Sequence, residues 1–141
     1  MNIQDQIKNY LSSLPEPKRA DMELLHKHIM KELAGCKRWF LDGTDETGKV
    51  VSNPNIGYGL QTITYADGKT KPFYQVGISA NSTGISVYIM GIKDKNYLPD
   101  TYAKKIGKAN VTGYCIKFKK LTDIHIETLF IAIKDGVQKT M

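Results

Sequence analysis

Between Ile56 and Met90 the chain alternates apolar with polar residues and breaks at two turn signals, a pattern that constrains the fold more than any other stretch. Alternation with a period of two marks strands with one buried face. Asp67-Gly68 suits a tight hairpin, whose two central positions both need positive φ. The pattern predicts a strand over Tyr58 to Tyr65 and a return over Phe73 to Ser79, with Tyr74, Val76 and Ile78 on one face. Asn81-Ser82-Thr83-Gly84 then turns the chain into Ile85 to Met90, with Ile85, Val87 and Ile89 inward. Three strands joined this way form an antiparallel meander.

Helices flank the meander. Ile3, Ile7, Tyr10, Leu11 and Leu14 recur at helical spacing. Pro15-Glu16-Pro17 stops that helix, and Pro17 opens a second, with Met22, Leu25, Ile29 and Leu33 on one face and Gly35 as its cap. Cys36 to Leu41 reads as a short strand and Asp42 to Asn55 as a surface loop. Leu98-Pro99-Asp100 begins a short helix that Gly107 ends. Val111 to Lys119 alternates again, with Tyr114, Ile116 and Phe118 on one side and Cys115, Lys117 and Lys119 on the other. Thr122 or Asp123 caps a last helix with Leu129, Phe130, Ile133 and Val137 as its stripe. The expected class is α+β: an N-terminal helical hairpin packed on an antiparallel meander sheet, then a short helix, a further strand and a C-terminal helix. Residues 1–141 are expected to form a single domain, large enough to fold without a disulfide or metal.

The first residues lack a basic region followed by an apolar one, and the longest apolar runs are far shorter than a membrane span, so a cytoplasmic protein with no membrane partner is expected. Cys36 and Cys115 are far apart and in no metal or redox spacing, which fits free thiols. The net charge of +6 is local: residues 91–120 hold eight lysines against Asp94 and Asp100, and the rest of the chain is balanced.

No nucleophile elbow, P-loop or dinucleotide fingerprint is present; Gly57-Tyr58-Gly59 opens a strand and fails as a phosphate loop. His26 and His28 stand two apart on a helix, facing different ways, and do not make the i, i+4 pair a metal takes. Asp42, Asp45 and Glu46 cluster in the loop and are the metal candidates, but Thr44 and a missing glycine break the calcium-loop pattern, so no metal or other cofactor is expected. In the basic segment Lys104 and Lys108 are expected one turn apart on a helix face with Lys105 beside them, while Lys117 lines the next strand. Such lysines with interleaved tyrosines can hold an anion, although they also complement a helix C-terminus or blunt a sheet edge. Cys115 shares a strand face with Lys117, and cations lower a thiol pKa, which makes it the one catalytic candidate.

A series of short motifs resembles a known bacterial family. Ile56-Gly57-Tyr58-Gly59, Tyr65-Ala66-Asp67-Gly68, Val76-Gly77-Ile78-Ser79, Tyr88-Ile89-Met90, Gly107-Lys108, Cys115 and Lys119 to Ile124 follow in the order of the YdhG-like domain of unknown function. The opening Tyr10-Leu11 to Leu14-Pro15 and its long following helix are similar too. Asn53-Pro54-Asn55 stands where one subgroup has Met-Trp-Gly, and Thr112-Gly113-Tyr114-Cys115 lacks a lysine found there. The resemblance implies an α+β fold and no established reaction. One branch is similar to frataxin-like iron chaperones, a role that calls for a carboxylate-rich surface.

The expectation is therefore a small non-enzymatic binding domain for an anionic small ligand or partner, seated between the meander and the Lys104–Lys119 region. Its candidate contacts are Lys104, Lys105, Lys108, Lys117, Tyr58, Tyr65 and Tyr88. The alternatives are an enzyme built on Cys115 with those tyrosines, an iron chaperone using Asp42, Asp45 and Glu46, and, ranked last, nucleic-acid binding.

Overall fold

Asn2 starts the first helix by accepting the Asp5 N–H at 2.8 Å, which pairs one of the donors that helix starts leave open. The computed structural model describes residues 2–140. Its elements are α1 (Ile3–Ser13), α2 (Lys18–Glu32), β1 (Arg38–Leu41), β2 (Asn55–Tyr58), β3 (Gln61–Thr64), β4 (Thr70–Phe73), β5 (Val76–Asn81) and β6 (Gly84–Ile89). They are followed by α3 (Tyr97–Tyr102), β7 (Asn110–Val111), β8 (Cys115–Phe118), a 3-10 turn over Leu121–Asp123 and α4 (Ile126–Lys139).

Six strands form one antiparallel sheet in the order β1-β2-β5-β6-β8-β7, and β3-β4 is a separate two-stranded ribbon. Period-two alternation sorts the sheet's side chains onto two faces. On the first, Ile56, Tyr58, Val76, Ile78, Val87, Ile89 and Ile116 join Ile7, Leu11, Met22, Leu25, Ile29, Leu129 and Ile133 of the helices in one buried cluster. Each fully buried Ile or Leu there contributes about 1.5–3 kcal/mol. Tyr74 and Cys115 are also buried but stand outside that cluster, because they belong to the second face.

The α+β order matches the reading from sequence, and five details differ. Tyr74 does not share a face with Val76 and Ile78: the chain breaks at Gln75 and the Tyr74 ring lies on the second face, over Gly57 and Gly77. The long strands Tyr58–Tyr65 and Phe73–Ser79 are each broken. Gly59 takes φ +86, its N–H turns back to Lys37 O, and Gln75 bridges Tyr58 O and Met90 N. The hairpin's base stays in the sheet as β2 and β5 while its tip becomes the ribbon, which Gln61 pins by donating to Tyr74 O and Met90 O at 3.0 Å. Val111–Lys119 is a β7–β8 hairpin, because Thr112 N–H reaches Cys115 O and closes a turn at Gly113. The short helix ends at Tyr102, whose carbonyl takes the N–H groups of Lys105 and Ile106, so Lys104 and Lys108 do not share a helix face. Thr122 and Asp123 lie in the 3-10 turn and His125 precedes α4, with no side-chain cap.

Candidate functional site

Strand register builds the second face in two transverse rows. One runs Trp39, Gly57, Gly77, Tyr88, Cys115 across β1, β2, β5, β6 and β8. The next runs Ser79, Ser86, Lys117, Asn110 across β5, β6, β8 and β7.

The two glycines make a trough in the first row, and the Tyr74 ring lies in it: a Cβ at either position would meet that ring. Phe73 stacks on Tyr74 with centroids 4.1 Å apart, and Trp39 meets Phe73 edge-on at 6.1 Å. Trp39 is fixed by its indole N–H, which donates to Gly59 O at 2.8 Å. Lys37 Nζ sits 4.5 Å from the Trp39 ring centre and Lys71 Nζ 5.6 Å from that of Phe73, within cation–π range. Burial, with Tyr88 and Cys115 as neighbours, pushes the Tyr74 phenol well above its ordinary pKa.

The second row is polar, with Ser79 and Ser86 buried and Lys117 and Asn110 exposed. Ser79 Oγ donates to Pro54 O at 2.7 Å, and the Tyr10 hydroxyl receives the Ala80 N–H at 3.0 Å. Asn81 Oδ1 gathers Thr83 N–H, Thr83 Oγ1 and Gly84 N–H, which locks the β5–β6 turn, and its Nδ2 donates to Ser86 Oγ at 3.3 Å. Between this turn and β8 lies a cleft of about 180 Å³ lined by Asn81, Thr83, Ser86 and Lys117, with Ile85 and Phe118 as its apolar walls. Cys115 is 2% exposed. Burial pushes its thiol up and outweighs the opposing pull of Lys117 and Ser86, so it is a neutral thiol at pH 7.

The structure brings Tyr88, Cys115 and Lys117 together on this face and disperses the other sequence candidates. Tyr58 is corrected outright: it is 0% exposed, lies on the helix-covered face, and shares a hydrogen bond of 2.6 Å with His26 Nδ1, so it cannot touch a ligand from solvent. Tyr65 is exposed at the ribbon's turn. Lys104 and Lys105 occupy the exposed turn after α3, and Lys108 follows with its N–H on Asp123 O. α3 itself packs against α4 and against β7, the strand whose Asn110 is paired with Lys117. Toward α4, Tyr97 and Tyr102 both donate to Asp135 Oδ2. Asp42 Oδ1 accepts Thr44 N–H and Oγ1, and Asp45 Oδ1 accepts Thr47 and Lys49 N–H. These carboxylates therefore serve their own turns. Glu46 is exposed in the same loop, and among the described residues no three His, Cys, Asp or Glu gather around a point. Among the described residues no helix is long and apolar enough to cross a membrane.

Sequence reasoning missed Trp39, Tyr74, Ser79, Asn81 and Ser86. Alternation alone put Lys117 beside Cys115, but only the pairing of β6 with β8 sets Ser86 opposite Lys117. No family model, curated protein or solved structure matches the chain.

Proposed function

We propose that this protein is a small binding domain that holds an anionic group on the second face of its sheet, in the cleft at Lys117. The observation that carries this reading is the lining itself: one lysine with the hydroxyls of Ser86 and Thr83 and the amide of Asn81 around about 180 Å³. That volume lies below the roughly 300–1,000 Å³ of drug-sized ligand sites and suits a group of phosphate or short-carboxylate size. The Lys117 ammonium is the donor such a group takes, while Ser86, which is buried, and Thr83, whose hydroxyl is held by Asn81 Oδ1, shape the wall around it. The role is binding, not covalent chemistry: the adjacent thiol is neutral and covered, whereas nucleophilic thiols are ionised and accessible.

Much of the motif series that resembles the YdhG-like family falls on this face. Gly57, Gly77, Ser79, Tyr88 and Cys115 belong to it, which supports reading the series as a site and not only as a folding pattern.

Native mass spectrometry of the protein purified from its host in low salt tests the reading. An adduct is expected on the parent protein, lost in Lys117→Ala and kept in Lys104→Glu/Lys105→Glu/Lys108→Glu. An adduct that survives Lys117→Ala and disappears with the other three lysines would return the site to the turn after α3 and sink this assignment.

A further inference from the structure

Charge is divided between the two kinds of element in a way the linear sequence conceals. Among the described residues no strand carries a single Asp or Glu, while Arg38, Lys71 and Lys117 all stand on strands. The carboxylates lie on helices, turns and loops. No described lysine or arginine makes an ion pair with a carboxylate; the one pair within 4.0 Å among the described residues is His28 with Glu32. The second face thus combines three exposed lysines, Lys37, Lys71 and Lys117, with the aromatic rings of Trp39, Phe73 and Tyr88. Two of those lysines are already held against two of those rings.

Alternating rings and cations on a carboxylate-free sheet are what a flexible chain of bases and phosphates requires. Bases stack on aromatic faces whatever their identity, and lysines follow the phosphates. From Trp39 to β8, the strand that bears the exposed Lys117, the face crosses four strand spacings of about 4.8 Å, roughly 19 Å, with the Tyr74 ring roofing Gly57 and Gly77 between them, enough for several nucleotides in extended form. An acidic peptide would use the lysines and leave the rings idle, so the pairing of the two favours a nucleic acid. We infer that the second face is a platform for single-stranded nucleic acid, in which Lys117 and its cleft take one phosphate and the Trp39–Phe73 end takes bases. The inference rests on the anion site at Lys117 and names the partner class it serves.

Trp39 is the chain's sole tryptophan, so its fluorescence reports directly on that end of the face. Titration with a ten-residue oligothymidylate should quench it saturably. An abasic ten-mer of the same charge should bind at least ten-fold more weakly and leave the fluorescence unchanged. Lys37→Ala/Lys71→Ala/Lys117→Ala should weaken the oligothymidylate at least ten-fold and flatten the slope of log K against log salt by about 2, near 0.7 for each phosphate that no longer meets a lysine. Lys104→Ala/Lys105→Ala should change the affinity less than two-fold. Equal binding of the abasic strand or of polyglutamate, or no quenching at millimolar oligothymidylate, overturns the platform. Inorganic phosphate followed at Lys117 by NMR separates the two readings. Phosphate shifts without oligothymidylate quenching leave the anion site standing and remove the nucleic acid, and loss of both removes both.

Discussion

The phenol of Tyr74 rests on Gly77, filling the space that a side chain at that position would need. Its ring carbons press in the same way on Gly57, the cross-strand partner of Gly77. Neither glycine has the positive φ that would demand glycine for backbone reasons, so the requirement here is room. Gly77→Ala and Gly57→Ala should each destabilise the protein by about 1–3 kcal/mol, the usual range for overpacking a filled interior. Urea midpoints check this, and Tyr74→Leu should recover part of the loss in the Gly77→Ala background. An unchanged midpoint in both alanine variants would show that Tyr74 moves aside at no cost.

His26 gives the protein a pH-dependent stability. Burial, and then the charge of Arg38, lower its pKa below the ordinary 6.5 in the folded state. The unfolded chain therefore binds more protons in the window beginning near 6.5 and extending down to the folded value. Stability is complete above that window and falls as pH drops through it. Melting temperature should decline between pH 7 and 5 in the parent, and His26→Gln should flatten that decline. A parallel decline in both would place the titration elsewhere.

Asp135 joins α4 to α3. Burial raises its pKa, but hydrogen bonds from Tyr102 and Tyr97, together with the charge of Lys139, outweigh that and hold it below the ordinary carboxylate value. Asp135→Ala leaves two tyrosyl hydroxyls without their acceptor, one of them on the buried Tyr102. A loss of about 1–3 kcal/mol is expected by chemical denaturation. Tyr97→Phe, which leaves Asp135 its bond from Tyr102, should cost less than Asp135→Ala; the reverse order would contradict this account.

The two thiols should differ in reactivity. Cys115 is covered and neutral, whereas Cys36 is half-buried. Iodoacetamide at pH 7.5 should label Cys36 first, with peptide mapping to assign the site. Lys117→Ala should slow Cys115 further, because it removes a charge that favours the thiolate. Preferential labelling of Cys115 would restore it as a nucleophile.

Much of the fold is written in local pattern. The stripes of α1, α2 and α4 and the alternation of Val76–Ile78 and Ile85–Ile89 are short-range signals, and the structure packs most of those residues into or against the core, with Ile3 left exposed. What local pattern does not carry is pairing. Tyr58 and Tyr88 look equivalent in sequence, yet one ends beneath a helix against His26 and the other on the opposite side of the sheet beside Cys115. Lys104 and Lys117 both sit in the basic segment, but one falls in the turn after α3 and the other on β8 opposite Ser86. The breaks at Gly59 and Gln75 depend on bonds to Lys37 and Met90, remote positions that no window around Gly59 contains.

The absence of acidic residues from the strands has a practical consequence. With no carboxylate paired to Lys37, Lys71 or Lys117 among the described residues, dissolved counterions must balance the sheet's charge. Their grip depends on ionic strength, since at about 0.15 M fields fade over roughly 8 Å and at about 1 M over roughly 3 Å. A polyanion bound as proposed would let go in a concentrated salt wash. Protein isolated that way would come off the column bare, so the choice of buffer would decide whether such a complex is seen.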